Sequence, residues 1–460
     1  MELKYEKKDI YSTLNKKEIE QVDVYSKEYM KFLNSSKTER LCVENAVEIL
    51  NENGFSDISK KRSLKAGDKV YLVNKQKSIF AAVIGKKDLI YGTNIIGSHI
   101  DSPRLDLKPM PLYENHDVAV LKTQYYGGIK KYQWMSIPLA MYGVVYNEKG
   151  EKIKIAIGDT NDDTTFTIAD LLPHLAKDQL KANANEFIDP EKMSVIIGNI
   201  KDKEAKDSKV KTTVLKLLNE KYGIKEIDFA RAEIEFVPAF DAKFLGIDRS
   251  MIGGYGQDDR VCSYANLRAI VDLVKENHTF DKTVISLIVD KEEIGSTGNT
   301  SMTSQVFDMF INMLLQKTGS KADRLNVYYN SKMLSADVAT AVDPVYDDVS
   351  DIQNSNILGS GIALEKYSGS GGKYSSSDAN AEFMSEVMKI FNDNKVMYQI
   401  GTLGKIGKGG GGTIAYILAD KGVDVVDCGT AVLAMHSPYE VSSKFDVYMT
   451  YLAYKAFFKS

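Results

Sequence analysis

The chain has 460 residues, 43% hydrophobic and 27% charged, with Lys+Arg 59 against Asp+Glu 63 and a net charge of −4. That length allows two or three domains and a large core. The balanced charge offers no basic excess for nucleic acid, and no run of about 18 apolar residues exists to span a membrane. The first 17 residues are charged throughout and lack the apolar core of a secretion signal. Cys42, Cys262 and Cys428 are odd in number and far apart, which fits small core residues in a reducing compartment. A cytoplasmic protein is expected.

In chain order, residues 18–54 are predicted helical. Val24, Tyr25, Tyr29 and Phe32, then Leu41, Val43, Ala46, Val47 and Leu50, recur mostly at spacings of three and four. Short strands are predicted over 70–73, 78–84 and 94–98, the last running into His99. From Pro111 to Pro238 the texture changes. Short β-like stretches (118–124, 136–146, 152–157) give way to a polar, partly helical tract over 178–225. This reads as a β-rich inserted domain, 111–237, interrupting a catalytic domain made of 1–110 and 238–460.

The α/β rhythm then resumes with a helix over 261–274 and a nearly continuous apolar strand over 283–289, of the buried parallel type. A helix over 304–315 follows, and 326–334 leads into Ser335-Ala336-Asp337. Later come a helix over 379–392, a strand over 396–400, a strand or helix start over 413–418, and a closing helix from about Lys444. Ser443 and Asp446 fit an N-terminal capping box loosely. The expected class is α/β, with a mixed, mostly parallel sheet flanked by helices and a β-rich second domain inserted.

Several short clusters sit where apolar stretches run out, which is where such a sheet delivers side chains to a crevice. His99-Ile100-Asp101 ends a strand, where residues two apart point to the same side. Imidazole and carboxylate can then share one metal, or Asp101 can orient His99 from behind. Asp258-Asp259-Arg260 follows Gly253-Gly254-Tyr255-Gly256 and precedes a helix, so one Asp can cap backbone amides while the other bridges metals. Glu292-Glu293 follows the 283–289 strand and precedes Gly295-Ser296. One glutamate there can ligate while its neighbour takes a proton from water.

Asp337 and His436 also follow apolar stretches, whereas His116, His174 and His278 lie in more polar or loop-like surroundings suited to surface or local structural roles. Gly404-Lys405-Ile406-Gly407-Lys408 is no phosphate loop, since no Ser or Thr follows either Gly-Lys pair. It is expected to form a rim beside the site. Together the clusters supply His, Asp, Glu, Asp and His in chain order, the raw material of a two-metal hydrolytic site.

That order, carried by Gly97-Ser98-His99-Ile100-Asp101-Ser102-Pro103, Asp258-Asp259-Arg260, Asp290-Lys291-Glu292-Glu293-Ile294-Gly295-Ser296, Ser335-Ala336-Asp337 and Ala434-Met435-His436-Ser437, resembles the aspartyl aminopeptidase family of dinuclear zinc exopeptidases. Tyr125-Tyr126-Gly127-Gly128 and Leu171-Leu172-Pro173-His174-Leu175 also look familial, and the resemblance covers nearly the whole chain. It implies the zinc-exopeptidase type of fold. It also implies one zinc on His99 and Asp337, another on Glu293 and His436, and Asp258 bridging both. Glu292 would be the general base and Asp101 would orient His99. Cobalt or manganese also suits this ligand set.

The resemblance further implies peptide substrates and a homo-oligomer, the family's form being a tetrahedral dodecamer. In its better-known branch a His precedes a Trp in the insert and reaches a neighbouring subunit's active site. Here Tyr132 stands where that His falls, before Trp134, which marks a divergent bacterial branch. Lys366 and Lys373 flank Ser368-Gly369-Ser370-Gly371-Gly372 and are candidates to pair with a substrate carboxylate, with solvated lysines on a Gly/Ser loop the equal alternative. The expected activity is metal-dependent removal of N-terminal residues, Asp and Glu being one candidate class. A broad-specificity leucine-type aminopeptidase, an amidohydrolase on the same fold and a non-catalytic metal-bearing scaffold stay open beside it.

Overall fold

The apolar runs of the sequence become the middle of a nine-stranded mixed sheet in this computed structural model, which describes residues 3–158, 164–370 and 374–460. Its strands lie in the order Ser56–Asp57, Lys69–Asn74, Ser78–Val83, Thr283–Val289, Thr93–His99, Lys332–Ser335, Asp424–Gly429, Ile362–Glu365 and Tyr398–Gly401. Thr93–His99 runs parallel to both neighbours, Thr283–Val289 and Lys332–Ser335. Ser78–Val83 pairs antiparallel with the other edge of Thr283–Val289.

Alternate side chains enter two cores. Ile96, Ile288, Leu334 and Val426 pack on one face with Val261, Phe383 and Val447 from the helices Gln257–Lys275, Ala381–Asp393 and Lys444–Lys459. Ile95, Leu287, Met333 and Val425 pack on the other with Phe307 and Phe310 of Val306–Thr318. Burial on both faces is why these strands read as continuous apolar runs. Each buried Val, Ile, Leu or Phe contributes about 1.5–3 kcal/mol.

The predicted helical stretch 18–54 is two helices, Lys16–Ser35 and Glu39–Glu52. Asn15 and Glu18 form a capping box at the first, and Thr38 caps the second through the Leu41 amide. Residues 326–334 hold a helix, Arg324–Tyr329, before the strand Lys332–Ser335, because Asp323 caps Leu325 and pulls the segment into a turn. The ambiguous 413–418 stretch is the helix Ala415–Ala419.

Ser443 caps the closing helix through the Phe445 amide at 3.3 Å, but Asp446 does not complete a capping box. Its carboxylate instead accepts the amides of Gly359 and Gly361 at 2.7 and 2.8 Å. Burial pushes Asp446 up to about 7, against the pull of those two donors. Gly361 has φ +104, and a Cβ there would meet the Met397 carbonyl oxygen at 2.3 Å, so nothing larger fits. Asp446→Ala leaves two amides without their acceptor and should cost about 2–6 kcal/mol in denaturant unfolding, at about 1–3 kcal/mol for each buried unsatisfied group.

The chain divides into two compact units, one comprising everything up to Asp101 with Ala242–Met435 and Tyr439–Ser460, the other Ser102–Asp241 with His436–Pro438. The second unit begins before residue 111 because the strand Arg104–Asn115 belongs to its sheet. That sheet has six antiparallel strands, in the order Lys152–Ile157, Leu139–Tyr146, Ala232–Pro238, Arg104–Asn115, Val118–Tyr126 and Ser194–Gly198. His116 and Asp117, at φ 47 and 58, make a two-residue hairpin turn matched to the strand twist. Arg104 is buried here with Asp106 at 2.8 Å, Glu235 at 3.3 Å and the Tyr126 ring at 3.8 Å.

Candidate metal centre

Three adjacent parallel strands end side by side. Val289 stands in register with His99, and Gly97 with Ser335. The chain beyond each strand then delivers Glu292-Glu293, Asp101 and Asp337 to the same carboxyl edge, the edge where open α/β sheets bind ligands.

His99 is almost wholly buried and sits at the centre. Its Nδ1 lies 3.0 Å from the main-chain oxygen of Asp101 and 3.4 Å from Asp101 Oδ1. A carbonyl only accepts, so Nδ1 carries a proton, and the ring that has lost its other proton presents its lone pair at Nε2. That Nε2 faces Asp258 Oδ1 at 3.3 Å, Asp337 Oδ1 at 3.6 Å and Glu292 Oε2 at 3.9 Å. The two oxygens of the Asp101 carboxylate also accept the amides of Glu292 and Glu293, at 3.1 and 3.2 Å. Asp101 therefore holds the turn Glu292–Ile294 as well as the ring. That turn is flanked by Lys291 and Ser296, both in left-handed backbone at φ 70 and 53.

Asp258 and Asp259 stand at the start of Gln257–Lys275 with non-helical backbone and a cis peptide between them. The capping reading of this pair does not hold. Gly256 occupies the N-cap position at φ 74 and no side chain caps the helix. Sheet register places Glu440 opposite Gly254, and its Oε2 accepts the Asp258 amide at 3.1 Å. Asp259 Oδ2 accepts the His99 amide at 3.2 Å, and Ser263 Oγ donates to the His99 carbonyl at 2.7 Å. Sequence reasoning gave no role to Ser263 or Glu440, and left Asp259 only the cap. Glu440 follows His436 by four residues with nothing to distinguish it from surface charge.

Among the described residues, ligand atoms gather within 4.8 Å of one another in two groups, His99 with Asp258 and Glu293, and His99 with Glu292 and Asp337. His436 belongs to neither group. It falls in the second unit, where Nδ1 donates to the Gly128 carbonyl at 2.9 Å. Lys366 donates to Asp378 at 2.6 Å and to the Ala379 carbonyl at 3.1 Å, with its ammonium 4.4 Å from the Tyr367 ring centre. Lys373 lies outside the described residues. His116 and His174 are exposed, and the His278 ring packs edge-on against Phe280 at 4.9 Å.

The electrostatics call for a cation. Burial and then the Asp337 charge push Glu292 up to about 8. The same two causes raise Asp259 well above the usual carboxylate range. Burial pulls His99 down, but Asp337, Asp101 and Asp258 outweigh it and hold the ring's value well above the ordinary one. Tetrahedral zinc with bonds of about 2.0–2.1 Å has ligands about 3.3–3.4 Å apart. The 3.3 and 3.6 Å separations around Nε2 match that spacing, and imidazole with carboxylates is a donor set zinc accepts. Loading zinc should release protons from His99 and Glu292, so affinity should tighten as pH rises from about 6 to about 8. Calorimetry in buffers of different ionisation heat checks this, and zinc uptake without proton release would contradict it.

The sheet edge and its carboxylate–imidazole cluster define a metal-dependent hydrolase. The family described as "Aminopeptidase I zinc metalloprotease (M18)" matches residues 32–458. A protein of Borrelia garinii subsp. bavariensis described as "Probable M18 family aminopeptidase 1" is 45% identical over 458 residues, 98% of this chain and 99% of that one. The crystal structure of an M18 aminopeptidase from Thermotoga maritima superposes with a TM-score of 0.95 at 45% identity, covering 99% of this chain and 100% of that one. The S. cerevisiae mApe1 dodecamer shares the fold, with a TM-score of 0.77 at 21% identity over 96% of this chain and 97% of that one. This chain belongs to the M18 family of zinc metallopeptidases. Its activity is metal-dependent aminopeptidase hydrolysis.

Proposed function

We propose that the protein removes single N-terminal residues from peptides with two zinc ions per subunit, held by His99 and Asp337, by Glu293 and His436, and by Asp258 between them. The observation that carries this reading is the His99 ring, protonated at Nδ1 and turning Nε2 toward carboxylates at 3.3 and 3.6 Å. The place of His436 rests on the chain order shared with the family. Zinc, when bound, supplies Lewis acidity toward the scissile carbonyl and the attacking water. Glu292 takes the proton from that water and hands it to the leaving amine. Asp101 keeps Glu292 in place through its amide and keeps His99 in one tautomer. The test of metal number is zinc per subunit in the purified protein, two being expected and one contradicting the dinuclear reading.

Preference for Asp or Glu at the substrate's first residue would come from Lys366 and Lys373. The pairing of Lys366 with Asp378 sets a competitor that a substrate carboxylate must displace. Lys366→Met with Lys373→Met should lower rates on Asp and Glu nitroanilides about tenfold relative to Leu, and unchanged ratios would remove both lysines from the pocket. A homo-oligomer, in the proportions of the mApe1 dodecamer, is supported by Leu171, Leu172, Leu175 and Leu180 of the insert, each at least half exposed. All three cysteines are buried thiols, which supports a cytoplasmic setting.

A further inference from the structure

Tyr126-Gly127-Gly128, at the end of the insert strand Val118–Tyr126, has no part in the chemistry described so far. His436 Nδ1 lies 2.9 Å from the Gly128 main-chain oxygen. The carbonyl can only accept, so Nδ1 is protonated and the neutral ring's lone pair is at Nε2. This repeats the device at His99, where the Asp101 carbonyl takes the Nδ1 proton at 3.0 Å and Nε2 is turned to ligands. The chain is bent to achieve it. Ala434 and His436 adopt φ 55 and 66, a region that residues with side chains seldom enter. Gly127, at φ 74, turns the strand end to bring the carbonyl round. A Cβ on Gly128 would lie 3.3 Å from Nδ1 and 3.7 Å from Cε1 of His436, so any side chain there presses on the ring. Both partners lie within the second unit.

We propose that Gly128 is a positioning residue for His436: its carbonyl fixes the imidazole tautomer with the lone pair at Nε2, and its lack of a side chain keeps the ring seated. This rests on the reading of His436 as a zinc ligand. A histidine ligand whose second nitrogen is held by a carbonyl is a better donor with a fixed aim, and loss of such a partner typically costs about 10–100-fold in metal affinity.

The test compares the full chain with Gly128→Ala, Gly128→Val and His436→Ala, reading zinc affinity against a chelator. A second readout is the ¹⁵N spectrum of histidine-labelled, metal-free protein, where five histidines keep assignment short. The expected result is an Nδ1–H signature at His436 in the wild type. Gly128→Ala should weaken zinc about 10–100-fold and move His436 toward the Nε2–H tautomer, and Gly128→Val should do so further. If His436→Ala loses zinc while both Gly128 variants bind it as the wild type does, the proposal is overturned and the ligand reading stands. If His436→Ala keeps full affinity, the ligand reading fails and the proposal with it. Should the Gly128 variants not fold, the wild-type spectrum decides: Nε2–H at His436 overturns the proposal and Nδ1–H upholds it.

Discussion

Glu292→Gln should lower kcat by about 10²–10⁴-fold, the range that a positioned general base contributes, while zinc per subunit stays at the wild-type value. The amide is nearly isosteric and its backbone N–H still reaches Asp101, so the turn Glu292–Ile294 keeps its anchor. What disappears is a carboxylate able to take a proton. Glu292 also lies in one of the two groups of ligand atoms, with His99 and Asp337. The paired measurement therefore separates two roles. Lost turnover with retained zinc marks a base, lost zinc marks a ligand, and full turnover removes Glu292 from the mechanism.

Asp258→Asn should lower zinc affinity about a hundredfold or more and turnover with it. Partners that merely orient ligands already account for about 10–100-fold, and Asp258 faces His99 Nε2 directly at 3.3 Å. The wild type should gain about 2.7 kcal/mol of stability when zinc is raised to a hundred times its dissociation constant, by mass action. The variant should lose most of that gain at the same zinc concentration, a difference visible as a missing rise in Tm. An undiminished rise would mean that Asp258 serves only the fold.

How legible this was in the sequence differs by residue, for physical reasons. His99 and Glu292 could be singled out because the first ends and the second follows a strand buried on both faces, where a continuous apolar run ends abruptly. Asp337 gained its meaning only from neighbours in chain order. The Asp101 carboxylate could be tied to His99 two residues away, but its bonds to the Glu292 and Glu293 amides depend on strands lying adjacent across 191 and 192 residues of separation. Glu440 was invisible for the same reason, since its bond to Asp258 follows from the register of Gly254 with Glu440. The antiparallel entry of Ser78–Val83 into the sheet was likewise hidden, because a strand buried on both sides reads the same in either direction. Asp446 misled because capping patterns are local, while its real partners, Gly359 and Gly361, lie far back in the chain.

The strand order also imposes a timetable on synthesis. Thr93–His99 lies between Thr283–Val289 and Lys332–Ser335, and both emerge only after the whole of the insert. At about 5–20 residues per second, the strand carrying His99 waits roughly 10–40 s for its first parallel neighbour to be made. The insert's six strands need nothing from beyond Pro238 to complete their ladder, so that sheet has all its partners first. A nascent chain thus carries His99 and Asp101 well before it holds Asp258, Glu292, Glu293 and Asp337, the residues that gather around them in the folded protein.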